Sequence, residues 1–232
     1  MKQLHVSAGG RGERIATYTA SIKPDLPKHL LPIPVEGKTL LGEITRQARD
    51  HFDQVVIWAS ETGLPHIASA VAAPAVSVCV DTDMTGPLGP MVRELLTRQQ
   101  RTYGCAGDFY CDFSWGDFES FHDSHGLPVS ILVARSVAAP GGARFNLSTT
   151  GAVLGWERVA CTTEEDRINI GCYILDPAPE VERYLATMPR HKEDPFFDHL
   201  IAAGCVAGCD PGKLGFNVNV PEVYQALLRT FQ

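Results

Sequence analysis

Residues 5–14 read His-Val-Ser-Ala-Gly-Gly-Arg-Gly-Glu-Arg, a short apolar strand that leads into a loop with three glycines and two arginines. Glycine has no Cβ, so the backbone N–H groups of such a loop can approach a ligand closely. Consecutive N–H groups form a concave anion site, and arginine adds a permanent charge whose planar geometry suits phosphate. The stretch predicts a loop that binds a polyphosphate, with a plain surface turn as the alternative.

Two common phosphate motifs do not match this loop. A dinucleotide fingerprint would need a small residue at position 15, where the chain has Ile15, and an acidic residue about twenty positions further on at a strand end. A Walker A loop would need Gly-Lys-Ser/Thr, which does not follow. The loop is therefore neither a dinucleotide fingerprint nor a Walker A loop, and a surface turn stays the alternative to a phosphate site.

Composition limits the class of protein. The 232 residues suffice for one α/β domain with its own core, so residues 1–232 are interpreted as a single domain. A formal charge of −7 argues against nucleic acid as a partner. No apolar run approaches a membrane span, and no basic-then-apolar leader opens the chain. Seven irregularly placed cysteines indicate reduced thiols and a cytoplasmic location.

Strand and helix patterns alternate along the first half of the chain. Apolar runs predict strands, helical spacing of apolar residues predicts helices, and residues 15–28 and 136–150 are expected to form a loop and a loop or hairpin. The predicted strands are 3–8, 55–59, 76–80, 102–106, 129–135, 152–157, 168–175 and 213–218. The predicted helices are 39–51, 64–72, 91–100, 117–125, 178–187, 195–203 and 221–231.

This alternation predicts an α/β fold with a Rossmann-like, mixed, mostly parallel sheet and helices on both faces. In such sheets ligands bind beyond the carboxyl ends of the strands. Gly107-Asp108 ends a predicted strand, as the glycine loop does. The two sites are therefore expected to meet, although nearly a hundred residues separate them.

The glycine loop, followed by Pro27-Lys28-His29-Leu30-Leu31-Pro32 and Gly37-Lys38-Thr39-Leu40, resembles the opening signature of the sugar-1-phosphate nucleotidyltransferases, or nucleotide-sugar pyrophosphorylases. That signature reads A-G-G-x-G-T-R-L and then P-K-x-L-x-P-v-x-G-K-P-L. Later segments resemble further family motifs in the same order: Thr85-Gly86, Gly107-Asp108, Asn169-Ile170-Gly171-Cys172-Tyr173, and Gly215-Phe216-Asn217 before Pro221-Glu222. The resemblance spans nearly the whole chain.

The resemblance implies a GT-A-like nucleotidyltransferase fold and a Mg²⁺-dependent reaction. A sugar 1-phosphate, or another small phosphate, attacks the α-phosphorus of a nucleoside triphosphate, and pyrophosphate leaves. Such chemistry needs positioned anions and neutralised charge but no covalent nucleophile. The resemblance assigns the following roles: catalysis to Arg14 and Lys28; nucleotide binding to Ala8, Gly9, Gly10, Arg11, Gly12, Thr85 and Gly86; sugar-phosphate binding to Gly107, Glu157, Arg158 and Asn169; and metal binding to Asp108 and Asn217, which is favoured over Asn219.

The chain departs from the family pattern at several points. Glu13 replaces the usual threonine, and the segment between Arg14 and Pro27 is longer than usual. The family's E-K-P motif is represented by Glu157-Arg158-Val159. Asn217 stands where many members have aspartate, although an amide oxygen is also a ligand for Mg²⁺.

Other functions remain open on the sequence. Asp81-x-Asp83 ends an apolar strand and imitates the D-x-D metal site of nucleotide-sugar glycosyltransferases. A nucleotide-binding or regulatory protein that has lost transfer is a third class. Cys205-x₃-Cys209 with nearby histidines suggests zinc, but the loose spacing and apolar setting favour buried thiols. Nucleobase, acceptor and any homo-oligomer are not specified by these patterns.

Overall fold

The computed structural model describes residues 1–10, 12–36, 38–82, 88–136, 141–159, 163, 166–187 and 193–232. Its β-strands are β1 (Gln3–Ala8), β2 (Gln54–Ala59), β3 (Val76–Val80), β4 (Thr102–Ala106), β5 (Phe109–Cys111), β6 (Val129–Arg135), β7 (Ala143–Leu147), β8 (Val153–Arg158), β9 (Arg167–Leu175), β10 (Val206–Cys209) and β11 (Gly215–Asn217). Its α-helices are α1 (Ala16–Ile22), α2 (Leu40–Ala48), α3 (Leu64–Ala70), α4 (Gly89–Arg98), α5 (Trp115–His125), α6 (Pro179–Thr187), α7 (Glu193–Ala202) and α8 (Pro221–Arg229).

Most of these strands belong to one sheet, whose path is β10-β6-β9-β4-β1-β2-β3. β1 runs parallel to β2 and β4, and β2 runs parallel to β3. β9 is antiparallel to both β4 and β6, and the β7–β8 hairpin branches from it. The predicted mixed, mostly parallel sheet is confirmed.

Helices cover both faces of this sheet, as predicted. Successive residues of β6 alternate between two core clusters: Leu132 and Ala134 belong to one, and Ile131 and Val133 to the other. Side chains of α2, α3 and α5 complete the first cluster, whereas α4, α6 and α7 complete the second. Alternation of this kind follows from the two-residue period of a strand.

A third cluster joins the two ends of the described chain. Ile15 and Leu31 from the N-terminal segment pack with Phe216, Tyr224 and Leu227 from β11 and α8. All of them are at most 2% exposed. The loop after β1 and the strand that carries Asn217 are therefore held by one common core.

The loop predicted over residues 15–28 is wrong in part, because α1 occupies its first half. Its sequence Ala-Thr-Tyr-Thr-Ala-Ser-Ile includes residues of modest helix propensity. Tertiary contact overrides that propensity, since Tyr18 packs edge-on against Tyr224, with ring centroids 5.7 Å apart. Prolines and polar residues after Ile22 end the helix in a turn.

Two short strands, β5 and β10, were not predicted from the sequence. β10 contains a glycine and has only four residues, and it pairs in parallel with β6. β5 pairs antiparallel with β11 in a separate two-stranded sheet, with Asn217 opposite Phe109. The N–H of Val218 also donates to the carbonyl of Asp108 at 2.8 Å. This small sheet brings the predicted metal residues Asp108 and Asn217 together.

None of the helices in the described ranges combines the length and apolar character needed to cross a bilayer.

Candidate active site

A cleft of about 280 Å³ opens where β1, β3 and β4 end, at the carboxyl edge expected for ligands in such a sheet. Residues from six separate stretches of the chain line it. They are Ser7, Gly9, Gly10, Arg14, Lys28, His29, Asp81, Ala106, Asp108, Glu193, Asn217 and Asn219.

The glycine loop forms one wall of the cleft. Gly12 has a φ of 65°, in the left-handed region that glycine adopts without strain. This turn starts a 3₁₀-helix at Glu13–Ile15, in which the N–H of Ile15 donates to the carbonyl of Gly12 at 3.0 Å. A methyl group on Gly10 or Gly12 would come within 4 Å of the Lys28 side chain. The loop and Lys28 therefore line the same space.

Lys28 has two oxygen partners at the centre of the cleft. It begins a short 3₁₀-helix, Lys28–Leu30, after the extended Pro27. Its Nζ donates to Oδ2 of Asp108 in a short contact and to Oδ1 of Asn219 at 2.7 Å. Only 10% of the Lys28 side chain and 8% of the Asp108 side chain are exposed. A nearly buried ammonium thus lies beside the glycine loop.

Gly107 fixes the position of Asp108. Its N–H donates to the carbonyl of Ser7 at 2.8 Å, so the end of β4 lies against the end of β1. A Cβ at position 107 would lie 3.1 Å from that carbonyl and 3.1 Å from the His29 ring. A side chain at this position would therefore be tightly packed, which explains why a glycine precedes Asp108 here.

The charge state of the site follows from burial and from Lys28. Burial raises the pKa of Asp108, but the charge and hydrogen bond of Lys28, together with the neighbouring His29, lower it more, so the pKa lies below its ordinary value. Burial lowers the pKa of His29 to about 4, so this imidazole is neutral at pH 7. Lys28 and Asp108 are therefore the charged pair, and His29 contributes no charge beside them.

The two asparagines of the β11 end occupy different positions. Asn219 accepts a hydrogen bond from Lys28, and its Nδ2 donates to Oδ1 of Asn217. The sequence favoured Asn217 as the metal residue, and that assignment stays a prediction. The structure adds that Asn219 is the asparagine in contact with Lys28.

The donor set in this corner fits a magnesium ion. Asp108, Asn217 and Asn219 offer one carboxylate and two amide oxygens, and the Asp108 and Asn219 oxygens already converge on a positive charge, the Lys28 ammonium. Across the described ranges, no cluster of three His, Cys, Asp or Glu residues forms a complete metal cage. Mg²⁺ commonly takes one or two protein oxygens together with substrate phosphates and water.

A row of hydrogen bonds connects Glu193, on the β9 side of the cleft, with buried residues of β9. Glu193 lines the cleft and accepts a hydrogen bond from the buried Tyr173 hydroxyl. Nδ2 of Asn169 donates to the same hydroxyl at 2.8 Å, and Oδ1 of Asn169 accepts from the N–H of Gly171 at 2.8 Å. Burial raises the pKa of Glu193. Asn169, predicted to bind sugar, is connected to the cleft through this row of hydrogen bonds.

The other predicted site residues are distributed as follows. Arg14 is exposed and lines the cleft, and Ala8 is the buried last residue of β1. Glu157 and Arg158 lie on β8 with about half of each side chain exposed, paired with Arg144 and Asp194 respectively. The structure does not bring these two into the cleft. Arg11, Thr85 and Gly86 lie outside the described residues.

Several residues in or directly behind the cleft had no role in the motif analysis. His29 and Tyr173 stood inside quoted motifs, but their burial next to the site depends on the fold. Glu193 is the first residue of α7 and belongs to no motif. The one sequence feature that could have drawn attention to it is that it is an acidic residue at the start of a helix, where the helix dipole favours negative charge.

The two metal alternatives can be placed only in part. Asp81 lines the cleft, whereas Asp83 lies outside the described residues. Cys205 is buried and Cys209 is half-buried, and neither forms a disulfide.

The fold of this chain is that of the nucleotidyltransferases. HddC from Yersinia pseudotuberculosis superposes with a TM-score of 0.71 over 100% of both chains at 18% identity, and HddC complexed with GMP-PN gives 0.69. A putative glucose-1-phosphate thymidylyltransferase from Bacillus anthracis gives 0.79 over 99% of this chain and 95% of that chain at 12% identity. CTP:phosphocholine cytidylyltransferase (LicC) from Streptococcus pneumoniae gives 0.71 over 100% of both chains at 12% identity.

The sequence matches no protein-family model and no curated protein. The similarity is therefore one of architecture, and it confirms the fold that the motif resemblance implied. What the cleft does is argued from its own residues.

Proposed function

We propose that this protein transfers a nucleoside monophosphate from a nucleoside triphosphate to a sugar 1-phosphate or a similar small phosphate. The observation that supports it most is the Lys28 ammonium, held between Asp108 and Asn219 beside the glycine loop. A nearly buried cation next to a glycine-rich loop suits a site that neutralises phosphate charge. Structural neighbours named as thymidylyl- and cytidylyltransferases support the same class of reaction.

The proposed step is a single in-line displacement. A phosphate oxygen of the acceptor forms a bond to the α-phosphorus of the triphosphate. The bond from the α-phosphorus to the oxygen that bridges it to the β-phosphorus breaks, and pyrophosphate leaves with that electron pair. No proton has to be removed from an ionised phosphate, so positioning and charge neutralisation account for most of the catalysis.

The cleft residues are proposed to contact different phosphate groups of the triphosphate. Lys28 donates to the α-phosphate oxygens and offsets the charge that builds there. Arg14, exposed at the cleft and without a side-chain ion pair among the described residues, holds the β- and γ-phosphates. Mg²⁺ held by Asp108 and Asn217 would supply further positive charge beside the phosphates.

The acceptor is assigned to the β9 side of the cleft. Glu193 lies there, oriented by Tyr173, and its carboxyl oxygens can accept hydrogen bonds from sugar hydroxyls. A sugar phosphate fits this wall because its hydroxyl groups can donate to the part-buried Glu193 carboxyl group, which faces the cleft.

Removal of Lys28 or Asp108 tests the proposal. Pyrophosphate release should be measured with four triphosphates against a panel of sugar 1-phosphates and phosphocholine. Lys28→Ala and Asp108→Ala should each lower kcat by at least about 100-fold, because each removes charge aimed at the transition state. Their circular dichroism spectra should match the wild type.

Lys23→Ala is the matched control, since Lys23 is exposed on the same segment and lies outside the cleft lining. It should retain wild-type turnover. Full activity of Lys28→Ala or Asp108→Ala in this assay would contradict the proposal.

The same assay separates the two other classes. Sugar transfer from a nucleotide-sugar without pyrophosphate would favour the glycosyltransferase, for which Asp81 in the cleft is the supporting observation. Stabilisation by a triphosphate with no turnover of any acceptor would favour a nucleotide-binding protein.

A further inference from the structure

Asp81 is a buried carboxylate for which the proposed transfer chemistry has no role. It directly follows β3, where its N–H donates to the carbonyl of Ala59 at 2.8 Å. Asp81 is only 5% exposed, yet it lines the same cleft as Lys28 and Asp108.

The Asp81 carboxylate lacks the partners that a buried charge requires. Its Oδ1 is buried and makes no hydrogen bond, and across the described ranges no lysine, arginine or histidine forms an ion pair with it. Its Oδ2 lies beside Gly9, where a methyl group would come within 3.4 Å of that oxygen. A buried unpaired carboxylate is costly, so such a group in a binding cleft indicates a ligand that brings N–H or O–H donors.

The sheet order places Asp81 on the side of the cleft away from the acceptor wall. Neighbouring strands follow the order β9, β4, β1, β2, β3. Glu193 contacts Tyr173 of β9, Lys28 and Asp108 lie at the end of β4, and the glycine loop extends β1. A triphosphate whose phosphates lie at Lys28 and the loop, and whose acceptor lies toward β9, directs its nucleoside toward β2 and β3.

From these positions, and resting on the proposed function, we infer that Asp81 recognises the nucleobase and that the preferred base is guanine. The two carboxylate oxygens accept hydrogen bonds and donate none. Guanine has two adjacent donors on one edge, N1–H and the N2 amino group. Adenine and cytosine place a ring acceptor beside their single amino group, and uracil and thymine place a carbonyl on each side of N3–H, so all four set a lone pair against the carboxylate.

Binding measurements with base analogues test this inference. Affinities of the full chain for GTP, ITP, ATP, CTP, UTP and XTP should be measured by isothermal titration calorimetry. GTP should bind about tenfold or more tightly than ITP, which lacks the N2 amino group, because one hydrogen bond to a charged acceptor is lost. The other triphosphates should bind more weakly than GTP.

The variant Asp81→Asn should change the preferred ligand from GTP to XTP. Its amide offers one donor and one acceptor, so GTP affinity should fall about tenfold or more and XTP, which has a carbonyl in place of the amino group, should become the better ligand. The fold should be retained, because the substitution removes an unpaired buried charge. Asp50→Asn, the same change at an exposed position just beyond α2, should leave all affinities unchanged.

Three results would overturn the inference. A wild-type preference for a pyrimidine, or equal affinity for all bases, would remove guanine recognition while leaving the proposed transfer intact. An equal loss of every triphosphate in Asp81→Asn would assign Asp81 to the ribose or to a metal. Absence of any triphosphate binding by the wild type would reject the proposed function together with the inference.

Discussion

Lys28 owes its position to partners from distant parts of the sequence. Asp108 and Asn219 fix its ammonium, while Gly10 and Gly12 leave room for its side chain. Asp108 remains ionised because Lys28 lowers its pKa against the effect of burial. Each of the two charges therefore makes the burial of the other tolerable.

Asn217 provides a prediction about the metal. Asn217→Asp places a full negative charge where the amide oxygen accepts from Asn219, and a carboxylate can accept the same hydrogen bond. Since Mg²⁺ binds carboxylates more strongly than amides, half-maximal activity should require several-fold less Mg²⁺. A magnesium titration of pyrophosphate release measures this, with Asn217→Ala as the comparison. An unchanged titration curve would place the metal elsewhere.

Lys28 and Asp108 could be predicted from the sequence because each belongs to a contiguous motif, Pro27-Lys28 and Gly107-Asp108. The motifs did not identify Glu193, which enters the cleft only because α7 begins beside β9 and Tyr173 reaches its carboxyl group. No local sequence pattern predicts a tertiary contact of this kind. The roles given to individual residues stay predictions until variants are measured.

At the scale of elements, the junction of β4 with β1 controls the position of Asp108. Gly107→Ala would put a Cβ 3.1 Å from both the Ser7 carbonyl and the His29 ring, so the end of β1, the end of β4 or the His29 ring must shift by a few tenths of an ångström. We expect a destabilisation of about 1–3 kcal/mol, typical of overpacking, and a fall in kcat larger than the change in KM. Urea unfolding and steady-state kinetics measure the two effects.

Gly126→Ala is a useful reference for that substitution. Gly126 lies far from the cleft at the end of α5, and a Cβ there meets no atom within 4 Å. Its positive φ of 68° would cost stability without moving Asp108. If both variants lost stability and kept wild-type kcat, the proposed link between Gly107 and the site would be wrong.

Most elements could be predicted because long apolar runs and helical spacing are local signals. β5 and α1 show the limit of such signals. β5 has three residues and is a strand only because β11 pairs with it, and α1 is stabilised by packing of Tyr18 on Tyr224. Both therefore depend on residues from the far end of the chain, which no window of local sequence contains.

Across the whole molecule, buried histidines couple stability to pH. Burial lowers the pKa of His5 and of His29 to about 4. In the unfolded chain these histidines take up a proton near pH 6.5, whereas in the folded protein they do so only near pH 4. Their contribution to the free energy of unfolding is therefore complete above pH 6.5 and decreases as the pH falls toward 4. At pH 5 each of the two histidines should lower the free energy of unfolding by roughly 2 kcal/mol relative to pH 7.5.

Urea unfolding at pH 7.5 and pH 5.0 measures this loss. His5→Gln keeps an acceptor for the Trp58 indole N–H, which donates to His5 at 3.2 Å, but cannot take up a proton. The variant should therefore lose roughly 2 kcal/mol less than the wild type between the two pH values. An identical loss in both proteins would show that His5 titrates normally in the folded state.

The contact between Lys28 and Asn219 joins residues that are 191 positions apart. Closing a loop of that length has an entropic cost that only long-range packing can offset, here the common core of Ile15, Leu31 and α8. Contacts of such high sequence separation slow folding, because loop closure comes before the contacts that offset it. A nucleotide bound in the proposed site would contact groups that only the folded chain brings together, so it would stabilise the folded state and not the unfolded chain.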